Sequence, residues 1–127
     1  GRITMATLSD RVFDNGLSVL SDEANKILIT TQEATTYAEA NATYALGNST
    51  SLAIASPSDR SAGGREVIVS AISDGSVTGN GTATHYAVVD TVNSRLIATG
   101  SLTTTQVVAT GNTFSLGSFT VGIPDPS

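Results

Sequence analysis

Residues 82–90 read TATHYAVVD, residues 91–94 read TVNS, and residues 95–102 read RLIATGSL. The two outer runs are rich in apolar and β-branched residues, a composition that favours strands. The four residues between them include Asn93 and Ser94, whose side chains form local hydrogen bonds that reverse the chain. This stretch therefore predicts two antiparallel strands joined by a short turn.

The same alternation of short runs and turn signals continues on both sides of this stretch. Regularly spaced short strands are typical of β-sandwiches and barrels. We therefore expect a mainly β chain, an antiparallel β-sandwich of jelly-roll-like character. Further apolar or alternating runs lie at 26–31, 52–55, 66–72, 106–109 and 113–123. Turn-forming residues lie at 56–59, 62–64, 74–75, 79–81 and 110–112.

Two of these runs lead to more specific predictions. Residues 66–72 are apolar on both faces, which favours a strand in the centre of a sheet. In residues 113–123 the apolar residues switch from even-numbered to odd-numbered positions near Gly117. Because side chains on one face of a strand are two residues apart, this switch predicts one extra residue, a β-bulge, near Gly117. The predicted core consists of Val67, Val69, Val88, Ile97, Val108 and Phe119.

The N-terminal segment follows a helical period instead. Asn15-Gly16 favours a break or turn within it, so the segment is predicted to be partly helical. Because a β body of this size closes its own core, we expect the apolar stripe to contact sister subunits or a shell surface. The stripe consists of Leu8, Val12, Phe13, Leu17 and Leu20.

These patterns divide the chain into four segments. Residues 1–4 are expected to be an added or leader segment before a natural start at Met5. Residues 5–24 form the N-terminal anchoring segment, 25–123 the β-sandwich domain, and 124–127 a tail whose prolines cannot extend a sheet. Within the domain, the Ala-rich stretch before Gly47-Asn48 predicts either a short helix with a glycine cap or a packed loop.

The composition argues against several classes of function. Six Lys and Arg face eleven Asp and Glu, the net charge is −5, and Lys26 is the only lysine. No basic stripe can neutralise a row of phosphates, so we expect no nucleic-acid partner. No apolar run reaches about 18 residues, so we expect no membrane partner. The chain has no Cys, which removes disulfides and thiolate chemistry.

Few residues suggest a chemical site. His85 is the only histidine and lies in a predicted strand, so a structural or interface role is favoured over a zinc site or a Ser-His-Asp arrangement. Asp59, Asp74 and Asp90 lie in or beside predicted turns, without the spaced pattern of a calcium loop. We therefore predict no enzyme activity and no cofactor.

The three tyrosines leave two interpretations open. Tyr37, Tyr44 and Tyr86 combine apolar area with a hydroxyl group, which suits an aromatic platform for a sugar or a partner protein. Ordinary core and boundary positions are favoured for the same residues. Only their placement in the fold distinguishes the two interpretations.

Several stretches resemble a known group of proteins. Residues 32–40 read QEATTYAEA and 44–48 read YALGN, and later stretches include PSDR at 57–60, GREV at 64–67, residues 82–90, NSRL at 93–96 and GIPD at 122–125. Together they resemble a poorly characterised family of short virion-associated structural proteins of tailed bacteriophages and prophages. The resemblance covers nearly the whole chain from Met5, implies a virion-associated role, and carries over no site residues.

The sequence therefore favours a structural virion protein, most specifically a capsid-associated decoration or head-surface protein. The expected partners are other capsid or tail proteins and copies of the chain itself, in a homo-oligomer. The expected location is the phage particle, after synthesis in the bacterial cytoplasm. The alternatives are a tail or fibre component and a carbohydrate-binding adhesin module. An enzyme that uses carboxylates alone is the least favoured option.

Overall fold

The chain forms a helix, nine strands and a short π-helical turn within residues 10–124, the part that the computed structural model describes, with side chains from residue 15 onward. All paired strands run antiparallel. The predicted mainly β, antiparallel fold with a helical N-terminal segment is confirmed. The elements are α1 (Asp10–Glu23), β1 (Lys26–Thr30), the π-helical turn (Glu39–Thr43), β2 (Ala45–Ser49), β3 (Ser58–Asp59), β4 (Arg65–Val69), β5 (Ile72–Val77), β6 (Gly81–Asp90), β7 (Arg95–Val108), β8 (Thr113–Leu116) and β9 (Phe119–Ile123).

The strands belong to two sheets, in two compact units. A six-stranded sheet has the order β7-β6-β1-β2-β5-β8, and a three-stranded sheet has the order β3-β4-β9. The first unit holds the six-stranded sheet and the π-helical turn, and the second holds α1 and the three-stranded sheet. The division into segments 5–24, 25–123 and 124–127 stays a prediction.

Strand β1 lies inside the six-stranded sheet, where it pairs with β2 on one side and β6 on the other. Residues 27–30 are at most 1% exposed. Such burial requires both faces of the strand to be covered, which explains why the sequence ILIT shows no alternation. One face carries Leu28 beside Ala87 of β6, and the other carries Ile27 beside Val88.

The six-stranded sheet is curled. Its edge strands β7 and β8 stand at opposite ends of the strand order, yet the Gln106 side-chain amide donates a hydrogen bond of 2.9 Å to the Ser115 carbonyl oxygen. The long strand β7 replaces the two predicted runs at 95–102 and 106–109. Between Ser101 and Gln106 it bulges, because residues 102–105 stand opposite a single β6 residue, Thr84.

The other unit is a helix packed on a small sheet. Strand β4 is its central strand, and α1 contacts both β4 and β9. Val67 and Val69 are fully buried, whereas Ile68, on the opposite face, is 42% exposed. Gly16 of α1 faces the Ile123 side chain of β9, so the helix lies on the face that Val67 and Val69 share.

Most of the predicted core is confirmed, whereas the predicted central strand is shorter than expected and has only one buried face. Val67, Val69, Val88 and Val108 are buried, while Ile97 and Phe119 are half-buried. The predicted central run at 66–72 is divided, because β4 ends at Val69 and Ile72 begins β5 of the other sheet.

The bulge predicted at Gly117 is wrong. Strand β8 belongs to the six-stranded sheet and β9 to the three-stranded sheet, and the chain passes from one to the other at residues 117–118. The parity of the apolar residues changes because each strand faces its own core. A shift in the two-residue spacing of apolar side chains can arise from a bulge or from a change of sheet, and the sequence pattern is the same in both cases.

Two further glycine assignments are corrected. Gly47 is not a helix cap, and Asp74-Gly75 is not a turn, since both glycines lie inside strands. A Cβ atom at Gly75 would overlap the Phe114 ring, and one at Gly47 would lie 2.6 Å from the Ser76 carbonyl oxygen. Glycine occupies these positions because the ring and the neighbouring strand leave no room for a side chain.

A pair of adjacent substitutions tests the face assignment of β4. Val69→Asp places an unpaired carboxylate in a fully buried site, which costs several kcal/mol, enough to unfold a domain of ordinary stability. Ile68→Asp, one residue earlier on the exposed face, should melt close to the wild type. Thermal unfolding followed by circular dichroism measures both. A cooperative melt of the Val69 variant near the wild-type temperature would contradict the assignment.

Candidate functional site

The predicted N-terminal contact stripe divides into two parts. Leu17 and Leu20 are only 2% and 6% exposed within the single chain, so they belong to the core of the helix-containing unit. Their burial leaves these two side chains unavailable to a partner surface. The side chains of Val12 and Phe13, and all of Leu8, lie outside the described residues, and their interface role stays a prediction.

Two of the three candidate tyrosines share one surface. Tyr37 and Tyr44 pack against a buried cluster that includes Leu28 and Ala87, on one face of the six-stranded sheet. Tyr86 lies on the opposite face, because it pairs with Ile29 of β1 and its ring covers Gly100 of β7. A platform of all three tyrosines is therefore not formed.

The segment from Thr31 to Tyr44 covers that face of the sheet. Ala34 and Ala40 are buried beneath it, and Tyr37 and Tyr44 are half-buried at its margin. Its two ends are joined to each other, since the Thr31 backbone N–H donates to the Tyr44 carbonyl oxygen at 3.0 Å. Of the two predictions for the Ala-rich stretch before Gly47, the short helix is closer to the structure, since residues 37–43 are helical and residues 45–46 belong to β2.

A capping arrangement explains why the segment turns helical near Thr36. The backbone N–H of Glu39 donates to the Thr36 hydroxyl oxygen at 3.1 Å. In return, the Glu39 carboxylate accepts the backbone N–H and the hydroxyl of Thr35, at 2.9 and 2.8 Å. The Thr36 bond is one half of a capping box, while the Glu39 carboxylate bonds to Thr35, the residue before Thr36. The signal in the sequence is Thr36 followed three residues later by Glu39, and the sequence analysis missed it.

Glu39 also connects the turn to a tyrosine. The Tyr44 hydroxyl donates to the other Glu39 carboxylate oxygen at 3.3 Å. The backbone N–H of Thr35 is the largest cause that lowers the pKa of Glu39. Loss of hydration raises the pKa of Tyr44, and the nearby Glu39 charge adds to this effect. The surface thus presents two half-exposed aromatic rings beside an ionised carboxylate.

The three candidate aspartates have separate structural roles. Asp59 forms an ion pair of 2.8 Å with Arg65 in the β3–β4 hairpin. Asp74 is exposed in β5, whereas Asp90 is buried at the end of β6. Among the described residues, no group of three or more His, Asp or Glu side chains is placed to hold a metal ion.

Asp90 fixes the turn between β6 and β7. Its carboxylate accepts the backbone N–H groups of Val92 and Asn93, at 2.9 and 3.3 Å, and the Asn93 side-chain amide at 2.8 Å. The Asn93 side-chain bond is the largest cause that lowers the pKa of Asp90. This is the turn that residues 91–94 predicted, and Ser94 adopts the positive φ of 55° that completes it.

His85 stands half-buried in β6, directly opposite Ser101 of β7. Its ring contacts two hydroxyl groups, with Nδ1 2.8 Å from Thr84 Oγ1 and Nε2 3.4 Å from Ser101 Oγ. A second imidazole or a thiolate is absent from the sequence, so His85 cannot complete a histidine or cysteine metal site. Its structural or interface role stays a prediction.

Comparisons with protein-family models, with curated proteins and with solved structures give no match to this chain. The structure itself defines the class as a mainly β, antiparallel protein with a helix near its N-terminus. Within the described residues, no helix has the length and apolar character needed to cross a membrane.

The Asp90 turn predicts a dependence of stability on pH. Because the folded state lowers the pKa of Asp90, its stabilising effect is present above the unfolded value of about 3.9 and is lost as the pH falls through the folded value. Asp90→Asn should therefore melt below the wild type at neutral pH, and the difference should shrink in acid. Asp74→Asn, at an exposed site, is the control. Equal melting of the Asp90 variant and the wild type at neutral pH would contradict the role of the turn.

Proposed function

We propose that the chain is a structural virion protein of a tailed bacteriophage, most specifically a capsid-associated decoration or head-surface protein. The observation that carries the proposal is the sequence resemblance, which extends over nearly the whole chain from Met5. An antiparallel β fold without cysteine is compatible with such a role. The chain acts by packing on other virion proteins and on copies of itself, and it has no enzyme activity.

The polar side chains support this reading. Glu39, Asp59 and Asp90 each bond to groups of their own unit, so these three charges stabilise local structure. Carboxylates that are bonded within the fold are not available for catalysis, and such a surface is suited to repeated packing contacts. Particle symmetry repeats each weak contact many times. Once one contact has formed, the effective concentration for the others is high, so the total attachment is strong.

The N-terminal segment supplies the proposed contact with the shell. Leu17 and Leu20 anchor α1 to its own sheet, which leaves Leu8, Val12 and Phe13 as the proposed contact residues. Each apolar side chain that becomes buried contributes about 1.5–3 kcal/mol. Three such side chains per copy, repeated over several copies, can exceed the entropy lost on association.

A pair of substitutions separates shell contact from folding. Leu8→Asp should weaken binding to particles of the parent phage assembled without this chain, and should leave the melting temperature unchanged. Leu17→Ala should lower stability by about 2–5 kcal/mol, because it leaves a cavity in the core. Co-sedimentation with particles measures binding, and thermal unfolding measures stability. Unchanged particle binding by the Leu8 variant would contradict the proposed contact, and no binding by the wild type would contradict the decoration role.

A tail or fibre component is the alternative within the same class. A carbohydrate-binding adhesin module is an alternative from a different class, and the Tyr37 and Tyr44 surface favours it. Two half-exposed rings beside the Glu39 carboxylate offer the stacking area and the acceptor that sugars use.

Titration against a panel of host surface glycans tests this alternative. Tyr37→Ala should abolish any binding, whereas Tyr86→Phe, on the opposite face of the sheet, should leave the affinity unchanged. Isothermal titration calorimetry measures both variants after a melting curve confirms that they fold. Equal affinity of the Tyr37 variant and the wild type would contradict this surface as the binding site.

A further inference from the structure

A line of hydrogen-bonding groups runs from Thr31, just after β1, through β6 to β7 around the only histidine. The Thr84 hydroxyl donates to the Thr31 carbonyl oxygen at 2.9 Å. The same hydroxyl oxygen lies 2.8 Å from His85 Nδ1, and His85 Nε2 lies 3.4 Å from Ser101 Oγ. Ser101 is exposed, so the end of the line is open to solvent.

The chemistry of the groups fixes the direction of each bond. A carbonyl oxygen only accepts, so the single Thr84 hydroxyl proton points at Thr31. The Thr84 oxygen must then accept a proton from His85 Nδ1. In the neutral ring, Nε2 therefore carries the lone pair and accepts the hydroxyl proton of Ser101. In this arrangement the Ser101 hydroxyl proton points at His85 Nε2.

This order matches the requirements of an activated nucleophile. A serine hydroxyl contacts a base, and a third group holds the base in the tautomer that can accept a proton. Thr84 orients the imidazole of His85, as the carboxylate orients the imidazole in a Ser-His-Asp triad. Because Thr84 is neutral, it fixes the tautomer without stabilising the imidazolium as a charge would. The arrangement therefore suits reaction with strongly activated electrophiles.

The β7 bulge begins at the residue after Ser101. Residues 102–105 stand opposite Thr84 alone, so the regular pairing of β6 and β7 is interrupted there. N–H groups next to a nucleophile are the usual donors to the oxyanion that forms during acyl transfer. The bulge therefore stands at the point where an acyl-transfer site needs such donors.

We propose that Ser101 is a nucleophilic serine, with His85 as its base and Thr84 as the positioning residue, and that it forms a covalent adduct with activated esters and phosphonofluoridates. With a phosphonofluoridate, Ser101 Oγ attacks phosphorus, the new O–P bond forms and the P–F bond breaks. The Oγ proton passes to His85 Nε2, fluoride leaves with the electron pair, and Nε2 then releases the proton to solvent. This role for His85 differs from the structural or interface role that the sequence favoured, and it stands independently of any virion role.

The full chain incubated with a fluorophosphonate probe tests the proposal by intact mass and peptide mapping. One adduct is expected, at Ser101, and Ser101→Ala should abolish it. His85→Ala should slow labelling by roughly 100-fold, because general base catalysis contributes about 10²–10⁴-fold. Ser73→Ala is the control, since Ser73 is an exposed serine on β5, a strand that pairs with β2 and β8 and not with β6 or β7.

A second pair of variants keeps the test decisive if the His85 variant unfolds. Thr84→Val removes the hydroxyl that holds the tautomer and should slow labelling several-fold, whereas Thr84→Ser should restore the wild-type rate. No adduct on the wild type, an adduct at another residue, or equal labelling rates for the Val and Ser variants would overturn the proposal. Labelling of Ser101 that depends on both His85 and the Thr84 hydroxyl would establish it.

Discussion

The pairing of β1 with two neighbours at once is the constraint on which the six-stranded sheet depends. Residues 27–30 have hydrogen-bonded partners in β2 and β6 and are at most 1% exposed. A strand in this position must have both faces covered, or apolar side chains would remain in water. On the face of Leu28, the cover is the segment from Thr31 to Tyr44. The one polar side chain among these residues, Thr30, donates its hydroxyl proton to the Gln32 carbonyl oxygen, so its burial leaves no unpaired donor.

Glycine and aromatic residues stand opposite each other at two places in this sheet. Phe114 of β8 is the cross-strand partner of Gly75, and Tyr86 of β6 is the partner of Gly100. In each pair the ring lies over the space where a glycine Cβ would stand. A glycine inside a strand removes packing area, and the neighbouring ring restores it. Close approach without a side chain also allows strong curvature, which brings Gln106 of one edge strand to Ser115 of the other.

Charged side chains have mainly structural functions in the described part of the chain. Glu39 caps the π-helical turn, Asp90 holds the β6–β7 turn, and Asp59 joins Arg65 across the β3–β4 hairpin. This use of carboxylates is consistent with a protein that acts by packing. The hydroxyl groups around His85 form a different kind of arrangement, in which the exposed Ser101 donates to His85 and His85 donates to Thr84.

The amino-acid sequence by itself determined the strand content and the turn at residues 91–94, because β-branched runs and Asn-Ser turns act locally. It also determined the buried positions Val67, Val69 and Val88, since short apolar runs between turns indicate strands that contribute to a core. It did not show that Ile68, in the same apolar run, is exposed. Only the tertiary structure decided that the chain changes sheets near Gly117 and that Gly75 lies under an aromatic ring. The tertiary structure alone also decided that Leu17 is buried within the chain and that His85 contacts Ser101. Each of these depends on residues that are distant in the sequence, and a local period carries no information about which distant partner covers a face.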